Sequence, residues 1–266
     1  MKKIICLIIA VILSHSAIAQ SIVIGSGSSI EVGLGADICA GAVGNITGHL
    51  FGDGTECGNV IPKTLNLIAL IEGFYNGTSM VPDTVTVEFR SAVSPYSLIE
   101  HKKVSLNSSG AGVGKFTTVL NSSSYYLVVK HRNALQTWSS TPQIFSSGVL
   151  NYNFTTSASQ AYGNNQVLVG SKYCIFSGDV SNGTTSGVQD GFIDIFDDSE
   201  VYNDSYSGTY RLLTDLNLDG IVDIFDNLYV YNNSYNGVTA AYPGFPRPGY
   251  LKKDETNNIK LNKEVE

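Results

Sequence analysis

A duplicated acidic segment near the C-terminal end restricts what this chain can fold into more than any other feature. The first copy reads QDGFIDIFDDSEVYNDSYSG from Gln189 to Gly208, and the second reads LDGIVDIFDNLYVYNNSYNG from Leu218 to Gly237. At a period of 29 residues they agree at 12 of 20 positions, among them each aspartate of a shared DG…D..D pattern. Ten of the chain's fourteen aspartates lie between Asp179 and Asp226, and Arg211 is the only base among them. Like charges at that density repel one another unless a cation sits among them.

Calcium fits the spacing. It takes roughly six to eight oxygen ligands, and a twelve-residue loop offers them at positions 1, 3, 5, 7, 9 and 12, with glycine at position 6 for the sharp turn. The second copy matches without a gap: Asp215, Asn217, Asp219, Gly220, Ile221 through its carbonyl, Asp223 and Asp226. In the first copy Asp190, Gly191, Phe192 (through its carbonyl), Asp194 and Asp197 match positions 5, 6, 7, 9 and 12. Its position-1 candidate, Asp179, lies eleven residues before Asp190 instead of four, so a seven-residue insertion separates them. Either Ser181 or Asn182 serves position 3, or neither does. Val222 and Ile193, at position 8, are expected to form a short β-contact between the loops, and Asp197–Asn203 and Asp226–Asn232 read as exit helices.

The remainder of the chain has an exported, β-rich character. Lys2 and Lys3, the apolar run from Ile4 to Leu13 and Ala17-Ile18-Ala19 read as a signal peptide over 1–19. That run is too short to span a bilayer, so no transmembrane segment is expected. The net charge of −7 leaves no basic stripe to meet phosphate, which excludes nucleic acid as a partner. Cys39 and Cys57 enclose a short Gly-rich segment and are expected to form a disulfide, which export permits. Cys174 then reads as a buried thiol, or as a bridge to one of these two or to another chain.

Residues 20–60 alternate short apolar runs with Gly and Ser, as a small β-element of hairpins would. Residues 61–176 carry strand patterns. Thr84-Val85-Thr86-Val87-Glu88-Phe89-Arg90 alternates strictly, placing Val85, Val87 and Phe89 on one face and Glu88 on the other. Further strands are expected at 65–71, 97–106, 116–120, 125–130 and 149–154, separated by turn residues; Gly110-Ala111-Gly112-Val113-Gly114 reads as a turn. The fold class is mainly β: an antiparallel Ig-like or prealbumin-like sandwich, followed by a small helical calcium module over 177–238 and a flexible tail over 239–266.

A duplicated calcium loop with an exit helix and no entering helix resembles a dockerin module. The β-rich part, with Glu72-Gly73-Phe74 and Tyr126-Leu127-Val128-Val129-Lys130-His131-Arg132 leading into Gly178-Asp179-Val180, is similar to modules that precede dockerin-like repeats in secreted proteins of environmental bacteria. The resemblance implies docking onto a cohesin, often in carbohydrate-degrading assemblies. It also implies partner contacts at Ile195-Phe196 and Ile224-Phe225 and at Tyr202-Asn203 and Tyr231-Asn232. Cellulosomal dockerins usually carry small polar residues where this chain has Ile-Phe, so Ile and Phe could instead be core.

No catalytic constellation stands out. GxSxG, HExxH, P-loop and CxxC patterns are absent. Asp37, Glu72, Asp83, Glu88 and Glu100 are scattered, and His131 is expected at the surface. Trp138 with Tyr125, Tyr126 or Tyr152 would form either a sugar-stacking platform or part of the core. The expected function is a secreted, non-catalytic binding protein attaching to a surface protein or a glycan. The alternatives are a structural subunit of an extracellular filament or matrix and a carbohydrate-active enzyme component.

Overall fold

A computed structural model describes residues 29–38, 49–56, 59–121 and 123–245. The expected signal peptide, the Cys39–Cys57 pair and the tail beyond 245 lie outside the described residues. The architecture is mainly β, and the chain divides into two compact units, Met1–Val60 and Ile61–Glu266.

The first unit contains β1 (Ser29–Val32), β2 (Asp37–Ile38), β3 (His49–Gly52), β4 (Thr55–Glu56) and β5 (Asn59–Val60). Hairpins were the expectation, yet β1 runs parallel to β3 and β2 parallel to β4; only β4 and β5 pair antiparallel. At Gly52, φ is +121° and an added Cβ would lie 2.2 Å from the Val32 carbonyl oxygen, so no other residue allows this close approach.

The second unit begins with β6 (Lys63–Ile68), β7 (Asp83–Ser91), β8 (Leu98–Leu106), β9 (Ala111–Phe116) and β10 (Ser124–His131). It continues with β11 (Ala134–Trp138), β12 (Gln143–Ile144), β13 (Val149–Asn153), β14 (Val167–Val169) and β15 (Lys172–Cys174), then α1 (Ile195–Ser207) and α2 (Ile224–Tyr235). One antiparallel sheet has the order β11-β10-β7-β8, with β12 also paired to β10. A second has the order β13-β6-β9, in which β13 runs parallel to β6. Val85, Val87 and Phe89 of β7 and Leu127 and Val129 of β10 share one buried cluster with Leu65 and Leu67 of β6, Phe116 of β9 and Tyr152 of β13. Burying these side chains supplies the driving force for bringing the sheets together.

Of the Gly-rich segment expected to be a turn, Gly110 does close one at φ +74°, whereas Ala111 to Gly114 belong to strand β9. Its glycines let it lie close to β8: a Cβ on Gly112 would come within 2.6 Å of the Ser105 carbonyl oxygen. His131, expected at the surface, is buried; its Nε2 lies 3.2 Å from Asp83 Oδ2, and its ring meets Phe74 edge-on at 5.1 Å. Glu88 does point away from the inner face, but Arg90 Nε at 2.6 Å and Lys130 Nζ at 3.0 Å cover it. Trp138 and Tyr126 are buried, with Trp138 stacked on Tyr242 at 5.0 Å, so the core reading of these aromatics holds. Cys174 is a buried free thiol. Burial and then the nearby Glu72 push its pKa up to about 12, which leaves it inert.

The repeat is bonded to the sheets. Gly178 N donates to the Asn133 carbonyl oxygen (2.8 Å), and Asn133 Nδ2 donates to the Asp215 carbonyl oxygen (3.2 Å). Asn233 Nδ2 on α2 donates to Glu72 Oε2 and to the Ser177 carbonyl oxygen, both at 2.8 Å. At Gly73 a Cβ would stand 2.0 Å from the Leu216 carbonyl oxygen, so the second loop lies directly against this backbone. The first residues of the expected tail are packed down as well: Ala240 and Ala241 are buried, and Asn165 Nδ2 donates to the Thr239 carbonyl oxygen at 3.0 Å.

Gly73→Ala should therefore lower the urea-unfolding free energy by roughly 1–3 kcal/mol, through overpacking at the junction. His131 is held neutral chiefly by burial, which lowers its pKa below the ordinary 6.5; Asp83 opposes this and Arg132 reinforces it. The unfolded chain then binds the proton more readily, so this group's stability contribution is full above about pH 6.5 and falls as pH drops below it. Urea midpoints measured against pH should show the advantage of wild type over His131→Gln shrinking under acid conditions.

Candidate functional site

Each helix of the repeat starts from its own loop. Asp194 and Asp223 are extended N-caps that accept from Phe196 N and Phe225 N, and Asp197 and Asp226 complete a capping box in each copy. The first turn is acidic in both helices, as the helix dipole favours. Gly208 ends α1 in the left-handed conformation at φ +67°.

The last acid of each loop organises the loop backbone. Asp226 Oδ1 accepts from Leu216 N (2.6 Å) and Asn217 N (3.1 Å), and its Oδ2 accepts from Asp223 N (2.9 Å). In the first copy Asp197 Oδ1 accepts from Val180 N (2.7 Å) and Ser181 N (2.8 Å), and its Oδ2 accepts from Asp194 N (2.9 Å). These matching bonds set Val180 against Leu216 and Ser181 against Asn217. Position 3 of the first loop therefore falls on Ser181, and Asp179 takes the place of Asp215 despite the insertion. Asp179 Oδ2 accepts from Gly191 N (3.2 Å), as Asp215 Oδ2 accepts from Gly220 N (3.0 Å). Gly191 and Gly220 have φ of +87° and +90°, as the position-6 turn requires. The insertion folds on itself, with Asn182 Oδ1 accepting from Thr184 N and Thr185 N.

Asp190, Asp219, Asp194 and Asp223 each accept from the backbone N–H two residues ahead. Asn217 Oδ1 accepts from Asp219 N. Asp179, Asp197, Asp215 and Asp226 are buried. Burial raises the Asp179 carboxyl to about 8, with Asp197 and Asp190 adding to the shift, and burial raises Asp197 to about 6. Asp226 is raised too, by burial first and Asp215 last. Asp179 Oδ1 is buried without a hydrogen-bond partner. Among the described residues, no group of three or more His, Cys, Asp or Glu converges as a metal cage would. With the side chains turned onto their own backbone, the acids of each loop line up in order but do not close round a point. All the groups are oxygen donors, the class that suits calcium and magnesium rather than zinc.

Ile193 and Val222 meet in a buried cluster with Val201, Leu216 and Val230. The β-contact expected between them gives way to one between the first loop and the chain after α2, where Ile193 N donates to the Val238 carbonyl oxygen at 3.0 Å.

The repeated Ile-Phe pairs are not core. Ile195 is 63% exposed, Phe196 54%, Ile224 67% and Phe225 64%. Tyr202, Asn203, Tyr231 and Asn232 are exposed beside them. Tyr202 stacks on Tyr206 at 6.2 Å and Tyr231 on Tyr235 at 6.4 Å, so each helix carries an aromatic ladder. Sequence reasoning passed over Tyr206 and Tyr235, although their repetition at the 29-residue period was a usable signal. It also passed over the buried pair Asp204 and Asn233, one period apart. Asp204 accepts from Arg211 Nε (2.6 Å) and Thr214 Oγ1 (2.7 Å).

Among the described residues no helix is long and apolar enough to cross a membrane. The chain matches no family model, and no curated protein matches it.

Asp226→Ala removes the acceptor for three backbone N–H groups and should cost roughly 2–4 kcal/mol in urea unfolding even with chelator present. Asp219→Ala, on the loop's exposed rim, should cost under about 1 kcal/mol in the same buffer.

Proposed function

We infer that this is an exported, non-catalytic binding protein. Its repeat is a calcium-loaded, dockerin-like module, and its two core-sharing sheets are an Ig-like or prealbumin-like β-sandwich. One observation carries the calcium reading: Asp179 Oδ1, a buried carboxylate oxygen without a donor, sits in a loop whose other acids stand at calcium-loop spacing. In the first loop Asp179, Asp190, Asp194, Asp197 and the Phe192 carbonyl would hold the ion. In the second, Asp215, Asn217, Asp219, Asp223, Asp226 and the Ile221 carbonyl would do so. The ion supplies positive charge that offsets repulsion among the loop acids. Asp190, Asp194, Asp219 and Asp223 would rotate from their own amides toward it, while Asp197 and Asp226 keep the backbone in place.

The attachment reading is supported by the exposed Ile-Phe pairs and tyrosine ladders, duplicated on the two helices. Side chains of this size left in water on a small module mark a surface that another protein covers. A cohesin-like partner suits a face built from helices.

Calcium should raise the melting temperature by roughly 5–10 °C over chelator. Because the loops are bonded to the sheets, the melt of the second unit should remain one transition in either buffer. A melting curve indifferent to chelator would sink the calcium claim. In pull-downs from the organism's secreted proteins, wild type should retain a partner only with calcium. The double variant Phe196→Ser/Phe225→Ser should lose it while keeping the calcium-dependent melt.

A further inference from the structure

The outward face of the β13-β6-β9 sheet holds an open groove of about 430 Å³, a volume within the range of small-ligand sites. Four asparagines line it: Asn66 on β6, Asn151 and Asn153 on β13, and Asn107 at the start of the turn after β8. No charged side chain does. Asparagine is depleted from strands, so three of them at outward positions on two neighbouring strands need a reason. Asn66 and Asn151 are direct cross-strand partners, with Val113 of β9 completing the row.

The amide ends are fixed by the protein itself. Asn107 Oδ1 accepts from Ser109 N (2.9 Å) and Ala111 N (3.0 Å). Asn153 Oδ1 accepts from Thr155 N and Thr155 Oγ1, both at 2.9 Å. Asn151 Oδ1 accepts from Asn66 Nδ2 at 2.8 Å. Because backbone N–H groups can only donate, they determine which end of Asn107 and Asn153 is oxygen. The NH2 groups of Asn107, Asn151 and Asn153 make no hydrogen bond among the described residues and are left for a ligand. Asn66 Oδ1 adds one acceptor, and Val113 and Ile68 supply apolar ground between the amides.

We propose that this groove binds a segment of a neutral polysaccharide. Immobilised NH2 donors suit hydroxyl and ether oxygens, and the apolar ground suits the C–H faces of a sugar ring. An acidic glycan would need a cation, and the groove contains none. An extended peptide would be expected at a strand edge, where backbone groups pair, rather than on the face of a sheet. The site is separate from the helix face assigned to protein attachment.

Affinity electrophoresis of the full chain in gels containing β-glucan, xylan or galactomannan tests this, with alginate as the acidic control. At least one neutral polymer should retard wild type, and Asn66→Ala/Asn151→Ala should weaken that binding about tenfold with the melting temperature unchanged. Phe196→Ser/Phe225→Ser should bind the polymer like wild type, which separates this result from loss of protein docking. The proposal is overturned if no neutral polymer retards the protein, if only alginate does, or if the double asparagine variant binds undiminished.

Discussion

The turn between β10 and β11 is the contact on which the second unit depends. Its Asn133 uses both backbone and side chain: the carbonyl accepts from Gly178 just before the first loop, and Nδ2 reaches the Asp215 carbonyl in the second. Next to it, Gln189 Nε2 bridges the Ala134 and Asp179 carbonyl oxygens at 2.9 and 2.6 Å. Arg132 Nε donates to the Leu212 carbonyl oxygen at 3.2 Å. One hairpin end is thus wedged between the starts of both loops. The two bonds of Asn133 are buried, where an unmade partner costs more than a made one gains. The loops therefore inherit their positions from the sheet.

The interior of the repeat explains its exterior. The inner faces of α1 and α2 are occupied by Asp197, Val201 and Asp204 in one copy and by Asp226, Val230 and Asn233 in the other. Two of each three are polar, because the loop and the junction need hydrogen-bonding groups there. Little room remains inside for Ile, Phe or Tyr. An ordinary amphipathic helix would have its large apolar residues inward; these helices carry them outward. The exposed ladders follow from a module held together by oxygen and amide groups.

The alternating strands were legible because period-two burial is a local signal: Val85, Val87 and Phe89 could be placed on the inner face from spacing alone. The two helices were legible from the repeat as well, although they begin two residues before Asp197 and Asp226, and the capping roles of Asp194 and Asp223 were hidden behind their fit to the calcium-loop spacing. What escaped was decided by distant partners. Gly112 sits in a strand because β9 pairs with β6, where its partner is Leu67, and nothing near residue 112 encodes that pairing. His131 lies between two cations in sequence and reads as surface, yet Asp83 and Phe74 enclose it. The Ile-Phe pairs were ambiguous because apolarity says that a residue is covered by something, not whether the cover belongs to the same chain. The insertion in the first loop hid Ser181's position until the Asp197 bonds set the register.

Asp198 and its counterpart Asn227 touch, Asn227 Nδ2 donating to Asp198 Oδ1 at 3.0 Å, so the two halves meet like with like across a pseudo-dyad. The buried position six residues further along breaks that equivalence. Asp204 faces the cation of Arg211, whereas Asn233 faces the carboxylate of Glu72. An aspartate at 233 would bring two acids together in a buried place, and an asparagine at 204 would leave Arg211 with Glu200 as its one remaining counter-ion among the described residues. The two copies are consequently no longer interchangeable: each half has become tied to its address in the chain.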